Sequence, residues 1–187
     1  MSLTFDQAAI YALVLHVAGE TKFAAKGFTP GTLGLVAADG TITVAPDGPD
    51  GPSGLPPDRR FLLARIRSTG ARALTVTEQC WVDASAIPPR ADPPPADCPG
   101  QSPEPDQNAD PASAPHQDSY RDGRAEVIVT TLVFHGESVT LRIITPILRD
   151  GPDAARLAPR SQIWDDASAQ SGRARRLDEI LTAAITD

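Results

Sequence analysis

Lysine, cysteine, aromatic side chains and long apolar runs are all scarce in this chain of 187 residues. Each scarcity removes a class of function. Two cysteines in unlike settings, Cys80 in an apolar run and Cys98 in a proline-rich stretch, do not make a disulfide framework or a paired-Cys zinc motif. The first apolar run, Ala8 to Ala18, is too short to cross a bilayer and carries no basic leader or cleavage site. No membrane contact is therefore expected, and a cytoplasmic location is the default. Basic residues number 17 against 24 acidic ones, a formal net charge of −7. Binding phosphate backbones needs clustered Lys and Arg, so nucleic acid is not expected as a partner. Only Lys22 and Lys26 among the basic residues are lysines. With the abundant Ala, Pro and Gly, that bias points to a GC-rich bacterial genome and carries no function.

What is present is a set of well-punctuated elements. Thr4 followed by Gln7 forms a capping box, and the helix it opens is apolar almost all round through Ile10, Tyr11, Leu13, Val14, Leu15 and Val17. Such a helix must be covered on more than one side. Lys22 and Lys26 suit its last turn, and Gly27 suits a left-handed cap. Strands over Thr32 to Ala38 and Thr41 to Ala45 flank Asp39-Gly40, a hairpin signal. A second helix is expected after an Asp58 cap, with Phe61, Leu62, Ile66 and Thr69 roughly on one face and a stop at Gly70. Arg72 to Asp83 then reads as a strand. Glu126 to Phe134 and Ser138 to Ile144 read as a hairpin about His135-Gly136, with Leu132 facing Val139 and Ile128 facing Ile143. Pro146 ends that ladder or marks an edge. A weaker strand within Ala155 to Trp164 and an amphipathic helix over Arg173 to Ile185 close the chain.

Between Ala84 and Ser119 periodicity vanishes, and ten of the 19 prolines fall there. Proline donates no ladder hydrogen bond and biases its predecessor away from helix, so an extended or disordered insertion is expected inside one domain spanning residues 1–187. The element order implies an α+β fold. The expected form is a mostly antiparallel sheet of about five or six strands with two or three helices, most simply on one face.

Candidate chemistry centres on Glu78, which falls among Leu74, Val76, Cys80 and Val82 where a strand buries apolar side chains. Glu78, Cys80 and Trp81 could line a pocket, with Glu78 and Cys80 as catalytic candidates. A thiol nucleophile needs a base, and His16, His116 and His135 are the only histidines. The structural reading puts Cys80 in the core and pairs Glu78 with Arg65 or Arg142, or turns it outward by a bulge. His16 and Glu20 are spaced i, i+4 on one helix, a geometry that can bind metal, but no third ligand comes with motif spacing. No cofactor motif is present: Gly31-Thr32-Leu33-Gly34 precedes a strand where a dinucleotide loop follows one, and the run APDGPDGPSG is a loop.

These features favour a non-catalytic protein that binds. The expected mode is self-association through the apolar first helix, with a protein or peptide partner for the Pro-rich segment. The competing expectation is an enzyme or small-molecule binder with its pocket beside Glu78, Cys80 and Trp81.

Overall fold

The computed structural model describes residues 3–46, 59–87, 120–121, 123–149, 154–166 and 172–186. The stretch from Pro88 to Ser119, with Cys98 and His116, lies outside them, as does Asp58. Helix α1 spans Phe5–Lys26, and its two ends follow the sequence signals. The Thr4 hydroxyl accepts from the Gln7 amide at 3.3 Å, and the Gln7 side chain accepts from the Thr4 amide at 3.0 Å. Gly27, at φ 76°, closes the helix by donating to the Phe23 carbonyl.

Eight strands follow: β1 (Thr32–Ala37), β2 (Ile42–Pro46), β3 (Ala71–Asp83), β4 (Tyr120–Arg121), β5 (Arg124–Phe134), β6 (Thr140–Arg149), β7 (Ala155–Leu157) and β8 (Ser161–Asp165). Helix α2 (Arg59–Thr69) lies between β2 and β3, and α3 (Gly172–Thr186) ends the chain. The sheet runs β2-β1-β3-β5-β6, with β7 and β8 on the outer side of β6 and β4 paired to the start of β5. Every pairing is antiparallel. The fold is α+β. The connection that holds the Pro-rich stretch joins two neighbouring strands, β3 and β5.

The β5/β6 register differs from the expected one by two residues: Leu132 faces Leu141 and Thr130 faces Ile143. The loop is longer than His135-Gly136 alone, and an even shift leaves every side chain on its expected face. Pro146 sits inside β6, opposite Val127, and its carbonyl accepts from Ala158 on the outer side. In an antiparallel ladder a residue's N–H and C=O point the same way, so the missing donor faces the gap between β7 and β8 and breaks no β5 bond. That gap also explains why the weak segment from Ala155 to Trp164 is two strands.

Strand alternation assigns the two faces. Ala73, Leu132, Leu141 and Ile143 pack with Ala8 and Ala12 of α1. Leu74, Val76 and Val133 point the other way and pack with Leu62 and Ile66 of α2 and Leu177 and Leu181 of α3. Helices thus cover both faces, where one face was expected. The reason is legible in β5, whose run AEVIVTTLV is buried at every position, as a central strand sandwiched on both sides must be.

Helix α1 lies close on its face of the sheet. A Cβ on Gly19 would come 3.0 Å from the Thr77 methyl, and one on Gly34 of β1 would come 2.3 Å from the Thr75 hydroxyl and 2.4 Å from a Leu15 methyl. Phe5 fixes the other end of α1, packing edge-on against Phe134 and tilted against Trp164. Among the described residues no helix is long and apolar enough to cross a membrane.

Candidate functional site

Glu78 and Cys80 lie on the α2/α3 face of β3, while Trp81, one residue on, projects to the opposite face. The three residues singled out together therefore do not line one pocket. Glu78 forms an ion pair with Arg173, at the start of α3, and its side chain is 12% exposed. An arginine does hold this acid, but it comes from α3 and not from Arg65 or Arg142. Arg65 sits over the Phe61 ring, and Arg142 forms a two-pronged pair with Asp165 of β8. The expected partner was misplaced because α3 lies far along the chain, and residue spacing cannot show which helix crosses above a strand.

Cys80 packs with Ala125, Val127, Val129 and Ile144. Burial and the neighbouring Glu78 carboxylate push its thiol up to about 12, against the opposing pull of Arg173. A nucleophilic cysteine needs the opposite shift and a base within reach. His16 lies across the sheet on the α1 face. His135 is bonded through its amide to Arg72, eight residues along β3 from Cys80, about 26 Å by strand rise.

The second candidate pair, His16 and Glu20, is brought together within a larger buried network. His16 is fully buried. Its Nδ1 lies 2.9 Å from the Thr130 hydroxyl and its Nε2 2.8 Å from the Thr145 hydroxyl. Thr145 donates to Glu20 at 2.6 Å, Arg160 donates to the same carboxylate at 2.8 Å, and Thr77 lies 2.7 Å from Thr130. Proton accounting orients the chain. Glu20 only accepts, so the single Thr145 proton goes to it, and Thr145 must accept from His16 Nε2–H. Nδ1 is then the bare nitrogen and accepts from Thr130, which accepts from Thr77. The bonds run in one direction from Thr77 in the sheet interior to Glu20, which accepts from Arg160 on the rim side as well.

Burial drives the His16 imidazole down to about 4, partly offset by Glu20 and reinforced by Arg160. The ring is neutral at neutral pH, and both its nitrogens are engaged by hydroxyls. Among the described residues, no three His, Cys, Asp or Glu side chains cluster as metal ligands. The threonines were missed by sequence reading. The available signal was their spacing: Thr75 and Thr77 in β3, Thr130 in β5 and Thr145 in β6 all fall on the inward phase of apolar strands.

A second polar chain lies near the α1 C-terminus. Gln79 accepts from the Thr29 amide at 2.8 Å and donates to Glu126 at 2.7 Å, and Arg149 grips Glu126 with bonds of 2.6 and 2.9 Å. Burial pushes the Glu126 carboxyl up, but the Arg149 and Gln79 bonds outweigh it and hold it below the usual carboxylate range.

One surface stands apart from these satisfied networks. On α1, Ala8, Ala12, His16, Gly19 and Phe23 face the sheet. On the far side, Ile10 is 60% exposed, Val14 59% and Val17 38%. Two more apolar side chains, Ile42 and Val44, stand exposed on the edge strand β2. Their register opposite Val36 and Gly34 places them on the α1 side of the sheet. Compared with known proteins, the chain matches no family model, no curated protein and no solved structure.

Proposed function

We propose that this chain is a non-catalytic interaction protein that works by self-association through the outer face of α1. The observation that carries the reading is the exposure of Ile10, Val14 and Val17, spaced i, i+4 and i+7 on a helix whose opposite face is already in the core. Scattered apolar residues on a surface need no explanation, but a continuous stripe of branched aliphatics on one helix does. Against catalysis stand the chemistry of Cys80 and the ion pair that holds Glu78 beside it. The thiol is driven toward the protonated state, and Glu78 is neutralised by Arg173.

Sedimentation velocity across the micromolar range tests this. The wild-type chain should shift from monomer to dimer with concentration. Val14→Asp should remain monomeric, with unchanged circular dichroism and melting, because position 14 contributes nothing to the monomer core. A wild-type chain that stays monomeric throughout would remove the proposal.

A further inference from the structure

The stripe is longer than its three largest members. Gln7, Ile10, Val14, Val17, Thr21 and Ala24 are all exposed, and they recur at spacings of three, four, three, four and three. That is the seam of a two-stranded coiled coil, laid on the solvent side of a helix whose core side has its own spacing. The seam tapers. Side-chain volume falls from Ile10 through the two valines to Thr21 and Ala24. Thr21 is less polar here than its type suggests, because its hydroxyl donates to the Val17 carbonyl at 2.9 Å.

Resting on the self-association reading above, we infer that the partner of this seam is α1 of a second copy, packed antiparallel about a twofold axis. Two features favour this occupant and this direction. The first is volume. An antiparallel pairing in which partner numbers sum to 31 sets Ile10 against Thr21 of the second copy, Val14 against Val17, and Gln7 against Ala24. Ile10 meets the smaller Thr21, Gln7 meets Ala24 and the two valines meet each other, which evens the depth of the layers. A parallel pairing stacks isoleucine on isoleucine at one end and alanine on alanine at the other, leaving a gap that forfeits contact.

The second is the helix dipole, which opposes parallel neighbours and favours antiparallel ones. A twofold contact is self-complementary by construction, and this seam is self-complementary only when reversed.

Cysteine cross-linking of the full chain decides the geometry, in a Cys80→Ala, Cys98→Ser background first shown to fold by circular dichroism. In the antiparallel register, residue 10 of one copy faces residue 21 of the other. Residue 10 and its own copy lie eleven positions apart, about 16 Å along the axis. Mild oxidation of an equal mixture of Ile10→Cys and Thr21→Cys, one of them tagged, should give the mixed dimer and almost no self-linked dimer. Efficient self-linking of either variant alone means parallel packing and overturns the inference. A chain that sediments as a dimer but cross-links in no combination associates through another face, which also overturns it while leaving self-association standing. A chain that sediments as a monomer removes the parent proposal instead.

Discussion

Lowering the pH from about 7.5 to 5 should remove about 2 kcal/mol of stability through His16 alone. In the folded chain the imidazole stays neutral down to about 4, because burial opposes its charge. In the unfolded chain it takes a proton near its ordinary value of 6.5. Between those two values the unfolded state binds the extra proton, so stability is full above 6.5, falls as pH drops toward 4, and falls no further through this group below that. The accumulated difference at pH 5, at about 1.4 kcal/mol per unit, gives the figure above. The carboxylates held below their usual range, Asp39, Asp83 and Glu126, lose their contributions at lower pH, and Asp178, raised by burial, works the other way, so the histidine's share is the difference between the wild type and a variant without it. Urea unfolding at several pH values measures it. The His16→Leu variant should be less stable overall, since the buried Thr130 and Thr145 hydroxyls each lose one of two hydrogen-bond partners, but its slope across the window should be nearly flat. Proton NMR of the His16 ring supplies a check that does not depend on the variant folding. A wild-type slope as flat as the variant's, or a ring that titrates near 6.5 in the native state, would refute the reasoning.

Other expectations follow from the remaining contacts. Arg173→Ala should destabilise by about 1–3 kcal/mol in thermal or urea unfolding, because it removes the Arg173 ion pair from the nearly buried Glu78 carboxylate. Adding Glu78→Gln should recover part of that loss. Native Cys80 should react slowly with a thiol probe at neutral pH and quickly after denaturation, and Glu78→Gln should speed the native reaction by removing one of the charges that raises the thiol. Gly34→Ala should lower stability by about 1–3 kcal/mol, since the new methyl meets the Thr75 hydroxyl and Leu15. Shortening Leu15 to Ala in the same chain should relieve only the Leu15 half of that clash, which a double-mutant cycle in urea would read.

Local features of the fold were legible where a single side chain or dipeptide does the work. The Thr4/Gln7 box, Gly27, the stop at Gly70 and the inward phase of β3 are all set by neighbours in sequence, and the structure keeps them. The hairpin after Asp39-Gly40 forms, although Val36 faces Ile42 and the loop takes five residues, because the Asp39 carboxylate captures the Thr41 amide. What could not be read was anything decided by a distant partner. Glu78 requires a cation, but that the cation is Arg173 depends on where α3 crosses. His16 and Glu20 share a helix face, which suggests a metal pair, yet their nearest polar atoms arrive from β5, β6 and the loop before β8. Inward threonines were the missing clue, and isolated threonines in strands are too common to announce a network.

The buried chain and the bare seam are best understood together. An apolar helix on an apolar sheet has little to fix its rotation, since leucines and alanines pack comparably well after a turn of some tens of degrees. The His16 ring removes that freedom, because both nitrogens must meet hydroxyls from different strands and a rotated helix would bury them unsatisfied. Gly19 and Gly34 add a steric lock at the points of closest approach. Replacing the polar chain by aliphatics could leave the monomer as stable or more so, as it does for other buried polar groups, while loosening the angle at which α1 sits. The consequence appears on the opposite side of the helix. If α1 rotates, Ile10, Val14 and Val17 no longer project together into solvent, and the surface proposed to bind a second copy loses its alignment. On this account the interior histidine contributes less to holding the monomer together than to aiming its outer face.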